Sequence, residues 1–335
     1  MRGFSRTVLL GLVALGFLGA STPLSAQGLP CAWDEATECM ETSTQHFTIH
    51  HALHNQKKAL SLARWVDQEL VKNGREMGQS EAVLASPRIT IRLAPDEASF
   101  FAAQPDNSRI PEWAAGVAYG DRHLIVLSLA TSHFFNLNEI TRHEISHVAV
   151  RRAAGTRIPR WLDEGLAILH AGEHAQSRIL KADGAALTGT LIPFKKLTRG
   201  FPRAGSRAEL AYAQSYRFVH WLMNSQGLAQ RLPLLLDAVR SGRPFNDAFA
   251  DVMDEPLPFV EARWITHLET SATWLAFLMD PEWLWGFAGL LFLLAYGIRR
   301  RNIARDIAAM DSDDEEEAWP PHELPNLQPP SDPPD

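Results

Sequence analysis

A chain of 335 residues with 46% hydrophobic content is long enough for one large or two small domains with buried cores, and no repeat of solenoid or propeller period is visible. The formal net charge of −7 belongs mostly to one end: from Asp306 onward there are ten acidic residues and no Lys or Arg, and the remainder is mildly positive. That total says nothing about nucleic acid, and no nucleic-acid motif appears, so no nucleic-acid partner is expected.

In chain order, residues 1–26 have the form of a secretory signal. Arg2 and Arg6 supply a basic start, residues 8–18 an apolar core, and small residues lead to a cleavage site after Ala26. The segment 27–44 holds the two cysteines of the chain, Cys31 and Cys39. In an exported protein they can close a short structural disulfide loop. The working part is expected over 45–273. There "HFTIHH" alternates like a strand, 57–72 reads as a helix and "RITIRLA" as a strand. Residues 96–103 read as a short helix, and two strands flank the Gly120-Asp121 turn signal. Helices dominate afterwards. The pattern predicts an α+β fold, a small mixed sheet packed on a helical half. Residues 281–298 are expected to form one transmembrane helix, with Trp283, Trp285 and Tyr296 at its edges and Arg299, Arg300 and Arg301 just beyond. The tail 299–335, acidic and proline-rich, is expected to be disordered and cytoplasmic, a candidate contact for a cytoplasmic partner. The implied location is the cytoplasmic membrane, single-pass, with the working domain outside.

The chemistry sits in "NEITRHEISHVAVRRAAG". A helix over 137–154 is well marked, with Asn136 and Glu139 as a capping box and Gly155 as the stop. Residues four apart share a helix face, so His143 and His147 can direct both imidazoles at one point. Imidazole nitrogen is a good zinc ligand, and Glu144 beside the first histidine can take a proton from a metal-bound water. This is the mechanical content of H-E-x-x-H. A catalytic zinc needs a third protein ligand. The continuation with a histidine six residues after the second is excluded, because Val150 and Ala153 stand where its glycine and histidine would be. The continuation with a glutamate from the next helix fits "RIPRWLDEGLAILH": Pro159 opens a helix whose apolar face carries Glu164. The plainer reading makes Asp163 and Glu164 first-turn acids favoured by the helix dipole.

"HEISH" followed by "WLDEGLA" resembles the gluzincin metallopeptidases. The tighter resemblance is to bacterial peptidase MA-like domains, in which "PRWLDEGLA" and a later "YAQSY" recur, and it covers about 45–224. It implies a zinc ion bound by His143, His147 and Glu164, Glu144 as general base, and peptide or protein substrates. It also implies that the hairpin around 116–129 is the active-site edge strand. Two departures stand out. Thermolysin-like enzymes often carry an acid four residues after the third ligand, where it supports a ligand histidine; Ile168 stands there here, and Asp163 or a backbone carbonyl is the candidate substitute. The exopeptidase signature GxMEN is absent. For the oxyanion, Tyr212, Tyr216 and His220 share one helical face, and Tyr212 is preferred. His123, His133, His170 and His174 read as surface or polar-core residues, and His50, His51 and His54 as the end of a strand, with a metal-binding cluster of the three as the alternative. Arg142, Arg151 and Arg152 make the motif helix too polar for a membrane-embedded protease. The reading is therefore a zinc peptidase acting on the exported side, with a catalytically inactive metallopeptidase-like binding module as the alternative.

Overall fold

The computed structural model describes residues 39–85, 87–105, 110, 114–130, 136–172, 175–202, 205–278 and 281–314. The signal-like segment 1–26, Cys31, His133, His174 and residues 315–335 lie outside these. Two compact units are separated between Thr266 and His267.

The first unit opens with β1 (Cys39–Ser43) and β2 (Phe47–Ala52), paired antiparallel. Their turn is pinned by Asp67: its carboxylate accepts from the Gln45 and His46 amides at 3.0 Å and from Thr44 Oγ1 at 2.8 Å. Cys39 is disulfide-bonded. The helix expected over 57–72 is two helices, α1 (Gln56–Ala63) and α2 (Val66–Glu76). They break at Trp65, whose ψ of −17° and φ of −136° leave the helical region, and Arg142 lies over its ring. After α3 (Glu81–Ala85) come β3 (Ile89–Ala94), α4 (Glu97–Ala102, capped by the Asp96 carboxylate), β4 (Gly116–Tyr119) and β5 (Leu124–Ser128).

The sheet order is β1-β2-β3-β5-β4, with β2, β3 and β5 parallel and both edges antiparallel. All five residues of β5 are buried, as expected of a strand covered on both faces. The half-exposed β4 forms the edge. The β4–β5 connection is a 3-10 turn over Gly120–Arg122 rather than a two-residue hairpin, with His123 in the left-handed region at φ 51°.

The helical half begins with α5 (Leu137–Ala154) and α6 (Arg160–Ala171), then α7 (Ala175–Leu187), α8 (Phe194–Leu197) and α9 (Ser206–Ser225). α10 (Leu228–Arg240), α11 (Phe245–Met253) and the first part of α12 (Leu257–Leu278), up to Thr266, complete it. The expected bounds of α5 hold: Asn136 Oδ1 accepts from the Asn138 amide, and Gly155 ends the helix at φ 70°. Trp161 anchors the back of α6 in an aromatic core, with ring centroids 5.4 Å from Phe194 and 5.2 Å from Phe218. The mixed sheet with a helical half is the α+β class expected.

The second unit contains α13 (Pro281–Asp314). The expected span over 281–298 finds no support: among the described residues no helix is long and apolar enough to cross a membrane. The uncharged run between Glu282 and Arg299 is sixteen residues. At ~1.5 Å per residue it reaches ~24 Å, short of a hydrocarbon layer of ~30 Å. Residues 299–314 are helical where disorder was expected. "RRRNIARDIAAM" is rich in helix-forming Ala and Arg, and the first proline after it is Pro320.

Candidate metal centre

The site lies where α5 and α6 meet under β4. α5 packs against α2, α6 and α10, so its histidine-bearing turn is held from several sides. His143 and His147, one turn apart, meet edge to face with centroids 4.8 Å apart. From α6, Glu164 turns Oε2 toward both imidazoles, 3.5 Å from His143 Nε2 and 3.8 Å from His147 Nε2. The three donor atoms all lie within 4.8 Å of one another, and no other such group occurs among the described residues. Donors set about 2 Å from one ion in a tetrahedron stand roughly 3.3 Å apart. Small side-chain movements would therefore close this set on a zinc-sized cation, and two imidazoles with one carboxylate suit zinc chemically.

Electrostatics favour a cation here. Burial alone would raise the Glu164 carboxyl, but His143, His147 and Arg160 bring it down to about 2. Burial alone would lower His147, but the charge and hydrogen bond of Asp163, with Glu164 behind them, push it up to about 9. Asp163 Oδ1 lies 2.8 Å from His147 Nδ1. With Nδ1–H donating to that carboxylate, the Nε2 lone pair is aimed into the site. Asp163 thus fills the orienting role that Ile168 cannot.

A cavity of about 750 Å³ opens over these residues. His143, Glu144, His147, Asp163, Glu164, Arg160 and Tyr212 line it, with Gly116, Val117 and Ala118 of β4 along one wall. Glu144 is buried beside His143, and the β4 backbone presses on it. A Cβ on Gly116 would stand 2.9 Å from Glu144 Oε1 and 2.7 Å from Ile140 Cγ2, so any other residue there would force those side chains to shift. Gly165 does the same between α6 and α9, because a Cβ there would collide with Val219 and the Ser215 carbonyl. That close packing brings Tyr212 to the cavity.

The two tyrosines separate. Tyr212 faces the cavity and hydrogen-bonds Arg160; burial first, then the Glu164 charge, pushes its hydroxyl up to about 12. Tyr216 is buried one turn on, does not line the cavity, and packs its ring 5.7 Å from that of His220. His170 belongs to a separate polar cluster: Ser146 Oγ is 2.7 Å from its Nδ1 and Glu76 Oε2 is 3.4 Å from its Nε2. His50 and His51 lie in β2 and His54 in the 3-10 turn after it. Sequence reasoning missed Arg160, Gly116 and Gly165. For Gly165 the signal was a glycine inside an otherwise good helix, a place where a neighbouring backbone comes close.

No curated protein matches the chain. Residues 104–270 match the sequence profile of the Peptidase MA superfamily. That stretch takes in the whole cavity, and the match supports a gluzincin-type, peptidase-like domain there.

Proposed function

We propose that the chain is a zinc-dependent peptidase, with His143, His147 and Glu164 as metal ligands and Glu144 as general base. The observation that carries this is the convergence of three ligand atoms on one cavity with a buried glutamate beside them. A zinc ion bound by these residues would supply Lewis acidity, polarising the scissile carbonyl and making a water more acidic. Glu144 accepts a proton from the attacking water and delivers it to the leaving amine. The Tyr212 hydroxyl, held protonated by its buried setting, donates to the developing oxyanion. Asp163 keeps His147 in the ligating tautomer. β4 ends the sheet and borders the cavity, so an extended peptide can add to it as a further strand with its backbone passing the metal. Export is supported by the signal-like residues 1–26 and by the disulfide at Cys39.

The test is Glu144→Gln in the full chain, measured for zinc content and for peptide hydrolysis. Zinc is retained and hydrolysis falls by about 10²–10⁴-fold, the usual worth of a general base. A variant as active as the wild type would contradict the mechanism, and an inactive wild type that binds zinc would favour a binding module.

A further inference from the structure

Arg160 has no part in the chemistry above, yet it touches two of its components. It opens α6 directly after Pro159, one helical turn before Glu164. Its Nε and Nη2 each lie 3.2 Å from Glu164 Oε1. The other carboxylate oxygen, Oε2, is the one that faces His143 and His147. The carboxylate is therefore divided, one oxygen on the guanidinium and one on the metal side. The guanidinium also lies 5.1 Å over the Phe201 ring, which meets Tyr212 edge to face at 4.9 Å. Tyr212 in turn hydrogen-bonds Arg160.

We propose that Arg160 is a positioning residue that fixes Glu164 as a one-oxygen ligand and holds the Tyr212 hydroxyl at the cavity wall. The physical argument is one of competition. A free carboxylate can offer both oxygens to a metal, and the second would occupy the position that water or substrate needs. The planar guanidinium engages Oε1 through two nitrogens, a geometry that the point charge of lysine does not reproduce. The same group then ties the third ligand to the oxyanion donor, so the two move together. This inference rests on the peptidase reading for its tyrosine half and on the metal site alone for its glutamate half.

The experiment compares full-length wild type, Arg160→Gln and Arg160→Lys, with folding checked by thermal melting. Three quantities are read: zinc affinity by chelator competition, the visible spectrum of the cobalt-substituted protein, and kcat and KM alone and combined with Tyr212→Phe. In Arg160→Gln, zinc affinity falls about 10–100-fold, as for other groups that orient a metal ligand. Its cobalt bands weaken, as expected when a second carboxylate oxygen raises the coordination number. Arg160→Lys recovers part of the affinity and not the spectrum. The loss of kcat in Arg160→Gln/Tyr212→Phe is smaller than the product of the two single losses. Wild-type affinity and spectrum in Arg160→Gln would overturn the proposal, as would a wild type that binds no metal. If the metal effects appear but the wild type hydrolyses nothing, the glutamate half stands and the peptidase reading, with the tyrosine half, falls.

Discussion

α5 and α6 contribute to two polar clusters of similar residues, one of them completed by Glu76 of α2, and only the other faces the cavity. In the closed cluster, Ser146 of α5 and His170 of α6 meet Glu76 of α2. The imidazole is almost wholly buried, with a hydroxyl on one nitrogen and a carboxylate by the other. In the open cluster, His143, His147 and Glu164 turn their donor atoms toward one another at the floor of a cavity. A histidine beside an acid is therefore no sign of chemistry by itself. What separates the clusters is where the remaining donor capacity points: into protein in one case, toward a common centre reached from solvent in the other.

Three experiments press on that contrast. The largest effect is expected in the open cluster. Asp163→Asn leaves His147 without its carboxylate partner, and zinc affinity falls about 10–100-fold in chelator competition. An unchanged affinity would mean that the imidazole is oriented by packing alone. In the closed cluster, His170→Ala strips Ser146 and Glu76 of their shared partner. Denaturant unfolding then shows a loss of about 1–3 kcal/mol, while zinc stoichiometry stays that of the wild type. Loss of zinc in that variant would show the clusters to be one unit.

The third experiment reads a difference in pH response. His147 in the metal-free protein is raised from 6.5 to about 9 by Asp163 and Glu164 against the burial that opposes them. Its contribution to stability is fully present below about 6.5 and is lost as pH rises through about 9. Zinc must displace that proton, so apparent zinc affinity climbs with pH by up to about tenfold per unit until the imidazole is neutral. Glu76 behaves in the opposite sense. The His170 hydrogen bond lowers it, so its contribution is present above 4.5 and is lost as pH falls below that value. Melting of chelator-treated protein across pH, with and without His170→Ala, separates the alkaline loss from the acidic one. A zinc affinity flat between pH 6.5 and 9 would contradict the account of His147.

The open cluster was largely legible in the sequence. Spacing of four on a capped helix, and a glutamate on the apolar face of the next helix, are local patterns, and α5 begins and ends where its capping residues place it. The orienting pair His147–Asp163 was legible only as one of two candidates, Asp163 or a backbone carbonyl, because the choice depends on how α6 crosses α5. Nor could spacing choose between Tyr212 and Tyr216: both lie on one face, and only the end of the cavity wall along α9 separates them. β1 went unrecognised because its edge position leaves alternate residues of "CMETS" exposed, with no apolar alternation to mark it. The expected membrane helix finds no support among the described residues, and its uncharged run of sixteen residues is slightly short of the usual ~20 for a span.

The central claim is that the open cluster is a three-ligand metal site. The most direct measurement is the zinc content of the purified full-length protein beside its Glu164→Ala variant, both confirmed as folded. The account predicts about one zinc per chain in the wild type, lost or greatly weakened in the variant. A folded wild type that takes up no zinc when zinc is supplied, or a variant that binds it equally well, would contradict it.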